Sequence, residues 1–153
     1  MSDINEKMLS RLQQLEREVE RLRVQENGKF VALTTPLTST SWDGDSFSTT
    51  GKTLIDLSSV FGVPAGVKAV IVSISLRDSA SLAAPSDGYY FILSPNNTSY
   101  EGIYVYCGGI ADDQFTHSQH IIPCNVDGDI YYQIKASGTG TMDVHLQIWG
   151  YWL

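Results

Sequence analysis

The sequence predicts a mainly β protein: an antiparallel β-sandwich, jelly-roll-like, preceded by a short N-terminal parallel trimeric coiled coil. Three observations predict it. Residues 1–27 repeat apolar side chains every three and four positions and hold neither Gly nor Pro. From Phe30 onward the apolar period drops to two. The alternating runs are separated by stretches rich in Gly, Pro, Asn and Asp. The chain thus divides into a coiled-coil segment, 1–27, and a head domain, 28–153.

With Met8 at d, the heptad places Asn5, Leu12, Val19 and Glu26 at a, and Met8, Leu15 and Leu22 at d. Such a seam is narrower than the stripe of a helix that packs on its own domain. A helix lying on the sheet is the competing reading, and the charged e and g sites argue against it. Arg11 at g faces Glu16 at the next e, and Glu18 faces Arg23, which supports parallel, in-register chains. Val19 at a with Leu22 at d leans toward two strands. Arg11-Leu12-Gln13-Gln14-Leu15-Glu16 resembles the short trimerisation signature Arg-h-x-x-h-Glu, with h apolar. Its Arg stem covers the seam while its fork bonds a neighbour's Glu. The trimerisation residues are therefore Met8, Arg11, Leu12, Leu15, Glu16, Val19 and Leu22. Three heptads are marginal alone, so the head must trimerise too. Asn27-Gly28 ends the helix.

In the head, Val70, Val72, Ile74 and Leu76 alternate with Ile71, Ser73, Ser75 and Arg77. Ile130, Tyr132 and Ile134 alternate with Tyr131, Gln133 and Lys135, and Val144, Leu146 and Ile148 with His145, Gln147 and Trp149. Shorter runs cover 30–34, 53–58, 88–94, 102–107 and 119–124. The sum is about eight strands with no convincing helix, the layout of a sandwich or jelly roll. Aromatics oppose the aliphatic face in several strands: Tyr104, Tyr106, Tyr131, His145, Trp149 and Tyr151. A monomer would expose them. They are assigned to the head's trimer interface, with a platform for stacking sugar rings as the alternative.

Composition sets the function classes. With 42% hydrophobic residues the chain can build a core, yet no apolar run approaches the roughly 18 residues of a membrane span. The chain opens Met-Ser-Asp and enters charged helix without a secretory segment, so synthesis in a cytoplasm without export is expected. Acids and bases balance in residues 1–29, and the formal charge of −7 resides in the rest, whose bases are Lys52, Lys68, Arg77 and Lys135. Such a head lacks the basic footprint that binds nucleic acid or anionic membranes.

No motif points to catalysis or a cofactor. Asp43, Asp45, Asp87, Asp127 and Asp129 sit in Gly-flanked turns, where carboxylates bond their own backbone. Neither a carboxylate pair nor a Ser/His/Asp or Cys/His site has a local signature. "DDQFTHSQH" offers Asp112, Asp113, His117 and His120, and His117 with His120 is the candidate metal pair; a polar surface loop is the plainer reading. "NVDGD" (Asn125, Asp127, Asp129) lacks the Glu of a calcium loop and reads as a hairpin turn. Asn96-Asn97-Thr98-Ser99 fits a glycosylation acceptor and reads as a turn. Cys107 and Cys124 read as reduced thiols. Long loops on a rigid sandwich carry recognition, which makes Trp42, Tyr100, Asp112 and Asp113 the ligand-binding candidates.

A short trimeric coil leading into a compact β-sandwich, with "RLQQLE" at its front and "IWGYWL" at its end, resembles the distal modules of bacteriophage fibres and virion appendages. The resemblance implies a homotrimeric virion protein that binds without chemistry. Its partners would be copies of itself, other virion proteins and a host-surface glycan or protein. A capsid-decoration trimer with no host ligand is the structural alternative, and a small depolymerase ranks last.

Overall fold

A computed structural model of the chain describes residues 2–26, 28–42, 47–79, 88–107 and 113–153. Helix α1 spans Ser2–Glu26, 25 residues. Its run of Leu, Glu, Arg and Gln explains it, because these are strong helix formers. Arg23 in the last turn complements the helix dipole. Residues 4–23 are exposed on every side. The apolar seam is therefore uncovered by its own chain: Met8 is 67% exposed, Leu12 57%, Leu15 53% and Leu22 48%. A helix packed on its own sheet is thereby excluded.

The head is built from β1 (Phe30–Leu37), β2 (Thr53–Ile55), α2 (Leu57–Phe61), β3 (Ala69–Asp78), β4 (Tyr90–Ser94), β5 (Ile103–Tyr106), β6 (Thr116–Pro123), β7 (Ile130–Lys135) and β8 (Met142–Trp152). Sheet I has the order β1-β8-β3-β6, and sheet II the order β2-β7-β4-β5. All pairs are antiparallel. The strands pair from the ends of the sequence inward: β1 with β8, β2 with β7, β3 with β6 and β4 with β5. Successive pairs alternate between the sheets.

The core lies between the sheets. Val70, Val72, Ile74 and Leu76 turn inward from β3 and are fully buried, as are Phe91 and Leu93 from β4. Burying each such side chain contributes about 1.5–3 kcal/mol. Their alternate neighbours Ile71, Ser73 and Ser75 are half-buried on the outer side. Cys107 is buried, Cys124 is half-buried, and both are free thiols. Burial pushes both up to about 12.

Three sequence expectations need correction. The strand expected over 53–58 ends at Ile55, and a short helix follows. Asp56 caps it by accepting from the Ser59 amide at 2.9 Å, and Gly62 closes it at φ 73°. Leu57 and Phe61 bury one face four residues apart, a spacing that five residues cannot distinguish from a strand. The turn at Asn125–Asp129 is no hairpin, because β6 and β7 belong to different sheets. The Asn125 side chain accepts from the Asp127 and Asp129 amides at 3.0 and 2.9 Å, which fixes the turn. Lastly, β8 carries a bulge. Ile71 pairs with Gly150 and Val72 with Ile148, so Trp149 is the extra residue. The bulge reverses the alternation. Tyr151 then pairs with the inward-facing Val70 and packs on the core, and it leaves the face on which His145 lies.

Candidate functional site

The aromatic residues expected on one interface occupy opposite sides of the sandwich. Tyr104, Tyr106 and Tyr131 lie on the outer face of sheet II. His145 lies on the outer face of sheet I, Trp149 is that sheet's bulge residue, and Tyr151 faces inward. These six residues therefore do not share one outer face of the sandwich.

The outer face of sheet II is a tyrosine surface. Register brings Tyr90 beside Tyr106, Ile92 beside both Tyr104 and Gln133, and Ser94 beside Tyr131. Tyr90 meets Tyr104 and Tyr106 edge-on at 5.1 and 5.9 Å, while Tyr104 and Tyr106 stack at 5.5 Å. Burial first, then neighbouring phenols, pushes the Tyr90 and Tyr104 hydroxyls above the usual phenol range, so both remain donors at physiological pH.

The 95–102 loop folds over this face. Buried Gln133 accepts from the Tyr100 amide at 2.9 Å, and the Tyr104 hydroxyl donates to the Tyr100 carbonyl. Lys52 donates to Ser94 Oγ and, at 2.6 Å, to the Glu101 carbonyl. Partial burial lowers the Lys52 pKa, and Glu101 works against that shift. At Asn96 the side chain accepts from the Thr98 amide at 3.0 Å, the turn expected there. Gly102, at φ 139°, lies so close to β4 that a Cβ would stand 2.4 Å from the Leu93 carbonyl. Tyr100 itself adopts φ 65°. A non-Gly residue in that region costs about 1–2 kcal/mol. Here the conformation is held by two hydrogen bonds, and it leaves the Tyr100 ring 63% exposed beside Tyr104. Tyr106 is 54% exposed. Rings held this way present flat apolar faces edged by hydroxyls.

The outer face of sheet I is graded along the strands. Nearest α1 it carries Phe30, Ala69, Ile71, Ile121 and Trp152. The middle is polar: Ser73 between Gln119 and Gln147, then Ser75 between His117 and His145. At the far end Arg77 bonds Asp143 through Nε at 2.6 Å, pairs with Asp113 at 3.5 Å and lies 5.0 Å over the Phe115 ring.

The other sequence candidates separate. Trp42 is no surface ligand residue: its ring meets Phe47 and Tyr132 at 5.2 Å, Phe91 at 6.1 Å and Phe61 at 6.3 Å, and it packs against the core. Asp113 is occupied by Arg77, and Asp112 lies outside the described residues. His117 pairs opposite outward Ser75, whose Oγ lies 2.7 Å from its Nδ1, whereas His120 pairs opposite inward Val72. Three residues apart on a strand, the two imidazoles take opposite faces and do not chelate one ion. Among the described residues no cluster of three His, Cys, Asp or Glu side chains is placed to hold a metal. No helix among them is long and apolar enough to cross a membrane. Of the ligand candidates only Tyr100 joins the tyrosine surface. Tyr90 belongs there too, and only the β4–β5 register reveals it.

No protein-family model matches the chain, and no curated protein matches it. Among solved structures the chain is similar to the coat protein of Tobacco streak virus, at 7% identity over 83% of this chain and 87% of the coat protein, with a TM-score of 0.38. Agreement that loose carries no functional inference.

Proposed function

We propose that the chain is a homotrimeric, non-enzymatic bacteriophage virion protein, a tail-fibre or receptor-binding head. The observation that carries this reading is the α1 seam, whose a and d residues from Met8 to Leu22 are apolar and uncovered by their own chain. Such a seam calls for partner helices. Two open grooves run along it, one bordered by Asn5, Met8, Leu9 and Leu12, the other by Leu12, Leu15, Glu16, Val19, Glu20 and Arg23. Knobs of neighbouring helices fit such grooves. Opposite charges at Arg11 and Glu16, and at Glu18 and Arg23, favour parallel, in-register copies, although within one chain Glu18 already bonds Arg21 at 2.6 Å; the Arg11-to-Glu16 motif favours three of them. The inward pairing of the eight described strands supports a jelly-roll head. The coil joins other virion proteins, and the head recognises a host-surface glycan through Tyr100, Tyr104 and Tyr106.

Full-length protein on a glycan array, with immunogold labelling of particles, tests the reading. Binding should appear, Tyr100→Ala and Tyr106→Ala should each weaken it up to about tenfold, and label should gather at a tail or fibre tip. A protein that binds no glycan and labels the capsid evenly is the decoration trimer instead.

A further inference from the structure

We infer that the apolar end of the sheet I outer face, formed by Phe30, Ala69, Ile71, Ile121 and Trp152, is where the heads of three copies of this chain meet. The inference rests on the trimeric reading above and adds where the heads touch. Three observations lead to it.

The first is tether length. α1 ends at Glu26 and β1 begins at Phe30. Between them the Gly28 amide donates to the Leu153 carbonyl at 2.7 Å, and the Leu153 amide donates to the Lys29 carbonyl at 3.1 Å. Four residues reach at most about 14 Å, and helices in a coil stand about 8–10 Å apart. Three coil ends therefore hold the three Phe30–Trp152 corners within about 38 Å of one another, near enough for these corners to meet at the axis.

The second is chemistry. Ile121 is 56% exposed and Phe30 42%, and the Phe30 ring lies 4.6 Å from that of Trp152. The corner is also close-packed: a Cβ on Gly150 would stand 2.7 Å from the Phe30 ring. The surface is thus preformed, and a partner fills it without refolding it.

The third is charge. Residues 30–153 carry the formal −7 of the chain, so three heads repel wherever carboxylates approach. Among the described residues, the sheet I face presents no ionisable side chain from Trp152 up to Ser73. The sheet II face carries Lys135 on β7 and has Lys52 and Glu101 at its loop. The uncharged face can approach its own copies closely, and the tyrosine surface then points away from the axis, free for a ligand.

Sedimentation velocity of the full chain over a concentration series, comparing wild type with Ile121→Glu, Ile121→Ala and Tyr106→Glu, tests the inference. Far-UV circular dichroism of each variant confirms folding, which both exposed positions should tolerate. The wild type should be a trimer. Ile121→Glu should raise its dissociation concentration at least about tenfold, Ile121→Ala by less, and Tyr106→Glu by under about threefold. A trimer that resists Ile121→Glu but dissociates with Tyr106→Glu overturns the inference and leaves the trimeric reading intact. A monomeric wild type overturns both.

Discussion

Helix α1 and the sandwich treat their apolar residues in opposite ways. In the sandwich Val72, Ile74, Phe91 and Ile148 are 0% exposed, each covered by the facing sheet. In α1 every seam residue from Met8 to Leu22 is about half exposed or more. The two regions have comparably apolar interiors in sequence, but only one has its partner in the same chain. The sandwich closes its own core, and the seam of the helix stays open within its own chain. Stability should therefore be intramolecular in the head and depend on concentration in the coil.

Three measurements test that division. The largest effect belongs to Phe91→Ala, which empties a fully buried site between the sheets. It should cost about 3–5 kcal/mol, read as a lower urea midpoint of tryptophan fluorescence at every protein concentration. Equal losses at the coil and the head would erase the distinction. Next, Leu15→Glu sets like charges into the seam. Burying an uncompensated charge costs several kcal/mol when the chains associate, so helix signal at 222 nm should fall while the near-UV signal of the head stays. A head that unfolds with it would show that α1 is part of its core.

The smallest effect concerns the thiols. Burial holds Cys107 and Cys124 at about 12, against about 8.5 in an unfolded chain. At pH 8 iodoacetamide should label both about a thousandfold more slowly in the folded protein than in urea. The sign follows from the raised value: this contribution to stability is full below about pH 8.5 and declines as pH rises toward 12. Rapid labelling of the native protein would contradict the burial just after β5 and just after β6.

Much of the fold was legible because its signals are local. Period-two runs such as Val70–Arg77 located the strands, and the heptad located α1. What was not legible depends on pairing between distant strands. Alternation shows that Tyr104 and His145 each oppose an aliphatic face, but it does not show that β5 and β8 lie in different sheets. The bulge at Trp149 has no sequence mark, and it turned Tyr151 inward. Trp42 sits among polar residues in sequence, yet four aromatic rings, three of them from distant segments, gather around it. Tyr100 was legible as an exposed loop aromatic. Its left-handed backbone and its anchor on Gln133 were not.

The central claim is that α1 leaves its seam uncovered for two other copies of the chain. Sedimentation equilibrium of the full-length protein at micromolar concentration tests it most directly. The account predicts one species of three times the 16.9 kDa chain mass. A single-chain mass across that range would contradict it.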